Sequence, residues 1–168
     1  MYSLNVPIPG RVARIAADLH PQLTGFDRVR DRHTLVLKRL GDLDHATFPS
    51  IEKAVRQALA GAPAVEAAVT GIDAFREPVS GPAPVVYLAI ESPGLRDLHR
   101  RLLDVVDPVE GLEGPDYVPH ITLARGGGPG DLKRLLDTEL DGVSWSVNRL
   151  EFWNADREEQ AGRLSLPG

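Results

Sequence analysis

The sequence predicts an α+β fold made from one unit used twice. Three observations carry this. Apolar strands and amphipathic helices recur in the same order in the two halves of the chain. Most strands can be joined antiparallel with helices to one side, which is not the pattern of a doubly wound parallel sheet. Each half also places a histidine strand at its third element: Arg32-His33-Thr34-Leu35-Val36 in the first and Pro119-His120-Ile121-Thr122-Leu123 in the second.

The first half reads as a strand over residues 2–8, a helix over 9–20, the histidine strand over 32–40, a helix over 48–60 and a strand over 65–75. In the first helix Val12, Ile15, Ala16 and Leu19 recur at helical spacing and make one apolar face. The second half reads as a strand over 84–91, a helix over 93–106, the histidine strand over 120–125, a helix over 131–140 and a strand over 143–153. Ser92 followed by Pro93 is a cap with proline in the first turn, and Leu95, Leu98, Leu102 and Val106 form the stripe behind it. Val143-Ser144-Trp145-Ser146-Val147 alternates cleanly, but the phase shifts before Leu150 and Phe152, which predicts a bulge near Asn148-Arg149. Pro78-Val79-Ser80-Gly81-Pro82 is too short for a free linker. The expectation is a single domain over 1–168 with closely packed lobes of about 1–78 and 82–168, the C-terminal tail returning to the first lobe.

The 168 residues, 42% hydrophobic, suffice for a core without staples, and with no cysteine there is neither a disulfide nor a thiolate metal site or nucleophile. A net charge of −5 argues against a general, charge-driven nucleic-acid coat. Locally, Arg28, Arg30, Arg32, Lys38 and Arg39 gather around the first histidine strand and Arg125 follows the second. They read equally as a solvated strand edge or as a phosphate-binding rim. No basic region precedes an apolar run at the N-terminus, and no stretch approaches the roughly 18 apolar residues of a membrane span. A cytoplasmic protein without membrane contact is the expectation.

In a strand, His120 and Thr122 share one face while Ile121 and Leu123 share the other. An imidazole there can take or give a proton near neutrality, and a hydroxyl two residues on can donate to a phosphoryl oxygen. His33 and His120 are therefore the candidate acid and base, one on each wall of a cleft. The first strand is less regular: Thr34 adjoins His33, and Leu35 stands two residues on. Either a bulge turns Thr34 toward the cleft or one phosphoryl donor is missing, and regular pleat favours the missing donor. His99 reads as a helix-packing residue, and His20 and His45 as structural. No metal-ligand spacing such as H-E-x-x-H is present. Gly126-Gly127-Gly128-Pro129-Gly130 lacks the P-loop ending and reads as a turn before a helix.

Together these residues resemble the 2H phosphoesterase superfamily, and within it the 2′-5′ RNA ligase / RNA 2′,3′-cyclic phosphodiesterase family. The resemblance covers nearly the whole chain. It is carried by His120-Ile121-Thr122-Leu123-Ala124-Arg125, by His33 on the matching strand, by the opening Tyr2-Ser3-Leu4-Asn5-Val6-Pro7-Ile8-Pro9, by Leu40-Gly41-Asp42 and by Val85-Val86-Tyr87-Leu88-Ala89-Ile90. The first motif departs by the Thr34/Leu35 order and by one extra residue before Leu40-Gly41.

The resemblance implies two antiparallel sheets flanking a central groove, with helices on the outer faces. It implies opening of 2′,3′-cyclic phosphates of RNA ends or nucleotides to 2′-phosphates, without metal or cofactor, with 2′-5′ ligation as the reverse transfer. His33 and His120 would be catalytic; Thr34, Thr122 and Arg125 would bind substrate. A monomer is expected. The rival reading is a weakened RNA- or nucleotide-binding module that keeps the groove.

Overall fold

The computed structural model describes residues 1–167. The strands are β1 (Tyr2–Val6), β2 (Arg28–Val29), β3 (Leu35–Gly41), β4 (Val65–Phe75), β5 (Val85–Glu91), β6 (His120–Arg125), β7 (Val143–Val147), β8 (Arg149–Asn154) and β9 (Glu159–Ser165). The helices are α1 (Gly10–Leu19), α2 (Phe48–Ala58), α3 (Pro93–Leu102) and α4 (Pro129–Leu136). This is the α+β fold the sequence predicts.

The strands form one antiparallel sheet in the order β7-β4-β5-β6-β3-β1-β8-β9, with β2 pairing β6. The two sheets expected on either side of a groove meet at β6–β3, where the ladder is a single pair, Leu35 with Ile121. The division of the sheet does not follow the 78–82 junction. β4 forms a long hairpin with β5 and so joins the strands of the second half. β8 and β9 return to β1. The lobes are interleaved: β4 sides with its sequence neighbour β5, as adjacent strands usually do, while the return of β8 to β1 is a pairing of the two ends of the chain.

The bulge expected near Asn148-Arg149 is a change of partner instead. β7 pairs with β4 and β8 pairs with β1, so the phase shift marks where the chain passes from one lobe to the other. The extra residue before Leu40-Gly41 is absorbed in the β1–β3 ladder, where Asn5 faces Val36 and Leu4 faces Lys38, skipping Leu37.

Helices cover one face of the sheet. Val12, Ala16 and Leu19 of α1, and Leu95, Leu98 and Leu102 of α3, share a core with Leu4, Leu35, Leu37, Ile121 and Leu123. α3 opens as expected: the Ser92 hydroxyl accepts from the Leu95 amide at 3.1 Å. Among the described residues no helix is long and apolar enough to cross a membrane.

Candidate active site

The uncovered face holds a cavity of about 230 Å³ over the junction of β3 and β6. One wall is β6. Ile121 and Leu123 are fully buried among the helices, which turns His120 and Thr122 the other way, into the cavity. Pro119 precedes the strand and holds its approach extended. Arg125, at the end of β6, also lines the cavity and donates to the Ser80 carbonyl at 2.6 Å, which ties the 78–82 segment to the rim.

The facing wall is β3 and the residues that lead into it. Here the side chains at even positions, Arg30, Arg32, Thr34 and Val36, line the cavity. Leu35 and Leu37 on the opposite face are 0% exposed. His33 has the parity of the two leucines and is not among the cavity's lining residues; the charges nearest it are His20, Arg30 and Asp31. The structure therefore brings together Thr34, His120, Thr122 and Arg125, and leaves His33 outside. Both alternatives for Thr34 give way to a third. Thr34 stands immediately before the first strand residue, Leu35, and lines the cavity, while His33 does not.

The reason is energetic. Shifting the pleat by one residue to bring His33 in would carry Leu35 and Leu37 out of the core. Each buried leucine is worth roughly 1.5–3 kcal/mol. A single imidazole gains nothing comparable from reaching a solvated cavity.

His120 is set up as a proton acceptor. Its Nδ1 lies 2.6 Å from the Val118 carbonyl, so Nδ1 carries the proton and donates, leaving the Nε2 lone pair free. Burial pushes its pKa below the ordinary imidazole value, opposed by the Val118 hydrogen bond and reinforced by Arg39, Arg125 and Arg30. The ring is held edge-on to Phe75 and Tyr87, with centroids 5.0 and 5.2 Å away. Burial and then Asp73 raise the Tyr87 hydroxyl to about 12, so it stays protonated.

Four arginines, Arg30, Arg32, Arg39 and Arg125, line the cavity against two carboxylates, Glu77 and Asp116. A chain of net charge −5 thus carries a locally positive cavity. The basic cluster read from the sequence divides. Arg30, Arg32 and Arg39 belong to the rim, but Lys38 is fully buried. Its Nζ donates to Glu113 Oε1 at 2.7 Å and to the Asp107 and Arg39 carbonyls at 2.9 and 2.8 Å. Glu113 also accepts from the amides of Arg39 and Val109 at 2.8 and 3.0 Å. Burial alone would push the Glu113 carboxyl up, but these donors outweigh it and hold it below its usual value. The network pins residues 107–114 to β3, and Gly111 and Leu112 within that segment form part of the cavity wall.

The other histidines have structural partners. His99 is buried, donates from Nδ1 to the Leu37 carbonyl at 2.7 Å and accepts at Nε2 from the Gly114 amide at 3.0 Å. His20 follows α1 as its C-cap, and His45 lies 2.8 Å from Arg157. The glycine run is a turn: Gly126 and Gly127 have φ of 79° and 86°, and Asp131 accepts from the Gly128 amide. Among the described residues no group of three or more His, Asp or Glu is placed to hold a metal ion.

Sequence reasoning gave no role to Tyr117 or Phe75. Tyr117 lines the cavity, donates to the Val36 carbonyl at 2.9 Å and stacks on His99 at 3.9 Å. Phase was the available signal for His33: in the second motif the leucine and isoleucine alternate with the histidine, whereas Leu35 and Leu37 fall in step with His33.

A fold with one curled antiparallel sheet and a basic, histidine-bearing cavity at its centre defines a class of phosphoester-handling protein, and comparison with known proteins agrees. The family model of the 2′-5′ RNA ligase superfamily matches residues 37–159, a span that includes His120 and Thr122, and the chain belongs to that family. It is 31% identical over 126 residues to the RNA 2′,3′-cyclic phosphodiesterase of Methanothermobacter thermautotrophicus, covering 73% of this chain and 67% of the relative. In fold it is similar to a protein of Thermus thermophilus, with a TM-score of 0.68 and 21% identity over 99% of this chain and 98% of the other. It is likewise similar to Escherichia coli LigT in its apo form, with a TM-score of 0.69 and 17% identity over 99% and 97%. The same E. coli protein has been crystallised with 3′-AMP and with phosphate.

Proposed function

We propose that the protein is a phosphoesterase that opens 2′,3′-cyclic phosphates of RNA ends or nucleotides to 2′-phosphates, without a metal or another cofactor. The observation that carries the reading is the side-by-side presentation of an imidazole with a free Nε2, at His120, and a hydroxyl, at Thr122, to a cavity ringed by arginines. Family membership supports phosphoesterase chemistry, and the name of the Methanothermobacter relative supports the cyclic substrate.

The step runs as follows. His120 Nε2 accepts a proton from water as the water oxygen bonds to phosphorus. The bond from phosphorus to the 3′ oxygen breaks, the phosphate stays on the 2′ oxygen, the 3′ oxygen takes a proton from solvent, and the His120 imidazolium returns its proton to solvent. Thr122 and Thr34 donate to the two non-bridging oxygens, and Arg125 supplies positive charge where the trigonal-bipyramidal transition state accumulates negative charge. Burial keeps His120 neutral and ready to accept at neutral pH. With a ribose 5′-hydroxyl in place of water, the same attack forms a 2′-5′ bond. The protein works as a monomer in the cytoplasm on this reading.

Incubation with a 2′,3′-cyclic nucleotide, with and without EDTA, tests the proposal. Release of the 2′-nucleotide in both conditions, and its loss in His120→Ala, are the expected results. A second reading is favoured by one observation, the absence of His33 from the cavity lining: a module that binds nucleotide or RNA ends without turnover. Binding of the cyclic nucleotide with no product at any pH would select it.

A further inference from the structure

Each wall of the cavity carries a lining threonine, Thr34 immediately before β3 and Thr122 within β6. Two residues before Thr122 stands His120; two residues before Thr34 stands Arg32. Both of these also line the cavity. By the internal repeat of this chain, Arg32 occupies the place that His120 occupies on the other wall. We infer that Arg32 is the second anion-handling group of the site, so that one wall offers a titrating imidazole and the other a fixed guanidinium charge. This rests on the phosphoesterase reading and deepens it.

The position of Arg32 is built. Its Cζ lies 4.6 Å from the centroid of the Trp153 ring, a side chain carried by β8 on the far side of β1. A guanidinium held over an aromatic ring keeps its charge and its fork of N–H donors, which can grip two phosphoryl oxygens at once. An arginine does not lose its proton in the working pH range, so it stabilises a departing oxyanion by charge and gives it no proton. On this scheme His120 takes the proton of the attacking water, the bond to the 3′ oxygen breaks beside Arg32, and the 3′ alkoxide collects its proton from solvent while the His120 imidazolium returns its own to solvent. Atoms and charge balance with water as the one co-reactant.

Two measurements test this. The first is titration of inorganic phosphate into the whole protein at pH 8, followed calorimetrically. Arg32→Ala is expected to weaken phosphate binding about tenfold or more, and Arg32→Lys, which keeps the charge without the fork, less than Arg32→Ala. Wild-type affinity in Arg32→Ala overturns the inference, whether or not any hydrolysis is seen. The second is the pH dependence of kcat/KM for a 2′,3′-cyclic nucleotide. A single ascending limb below about pH 6.5 and then a plateau are expected, since one imidazole titrates. A descending limb between about pH 7 and 9 that disappears in His33→Ala overturns the inference, because it would make His33 the acid. Absence of hydrolysis in the wild type sinks the cyclic-phosphate reading instead and leaves the phosphate titration to decide the role of Arg32. Arg32 is exposed, so a matched thermal midpoint checks that its variants fold.

Discussion

β3 and β6 sit side by side, run antiparallel and come from matching places in a duplicated chain, yet they treat their histidines in opposite ways. In β6 the core takes Ile121 and Leu123 and the cavity takes His120 and Thr122. On the β3 side the core takes Leu35 and Leu37, the cavity takes Val36 and, just ahead of the strand, Thr34, and His33 beside it does not line the cavity. The difference teaches that pleat phase, set by the apolar residues, decides which polar side chain meets a ligand. The presence of a histidine in the strand does not decide it.

The largest effect should come from the pair of histidine deletions. His120→Ala is expected to lower kcat/KM for a 2′,3′-cyclic nucleotide by about 10²–10⁴-fold, the usual worth of a placed proton-transfer group. His33→Ala should leave it within about threefold. Equal losses in the two variants, both folded by circular dichroism, would break the comparison.

Next comes the way each strand is anchored. β3 is held to residues 107–114 by the buried Lys38–Glu113 pair, while β6 has no ion pair of its own to the core among the described residues. Glu113→Gln strands a buried ammonium, and removal of one partner of such a pair costs about 3–5 kcal/mol. Urea denaturation should show that loss. A loss under about 1 kcal/mol would mean that water reaches Lys38.

The hydroxyls sharpen the comparison further. If Thr34 and Thr122 hold the two non-bridging oxygens of one phosphoryl group, Thr34→Val and Thr122→Val should each lower kcat/KM by about tenfold, equivalent to one hydrogen bond of about 1.4 kcal/mol. A loss in Thr122→Val alone would show that only the second wall touches the phosphate. Leu35→Thr, by contrast, places a hydroxyl in the core and should destabilise the fold without adding a donor.

How much of this was legible follows from the same physics. β4 and β6 have the bounds expected from their alternation and flanking turns; α1 is one residue shorter at each end than its apolar stripe suggests, and α3 begins at Pro93 as expected but ends at Leu102 rather than 106. The shared face of His120 and Thr122 is legible because Ile121 and Leu123 alternate with them as buried residues. On the first wall the histidine is a poor guide to the cavity lining, because Leu35 and Leu37 carry the larger burial energy and set which neighbours reach the cavity. Lys38 looked like a rim residue, and only the fold shows it facing Glu113, which lies 75 residues away in sequence. β9 was missed as a strand. It carries just Ala161 and Leu164 as inward apolar residues, and its pairing with β8 supplies most of its structure.

The smallest expected effect concerns the third histidine of the same neighbourhood. His99 is neutral by construction: Nδ1 donates to Leu37 on β3 and Nε2 accepts from Gly114, so a second proton would turn the Gly114 amide from a partner into a clash of donors. Burial accordingly holds its pKa below the ordinary value, against the Leu37 carbonyl and Glu113, which favour the charged ring. His33 and His120 are also held low, chiefly by burial. For an imidazole lowered on folding, the unfolded chain binds more protons between the folded value and about 6.5, so stability rises with pH there. Stability should be full above about pH 6.5 and fall as the pH drops below it, before any carboxylate titrates. Chemical denaturation at pH 7.5 and 5.5 measures the fall. His99→Gln should shrink it: an amide side chain does not titrate, so loss of the imidazole removes its share of the pH dependence. His33→Ala removes another share, and His120→Ala a third. If the slope between those pH values survives in His99→Gln unchanged, the buried ring contributes nothing to acid sensitivity.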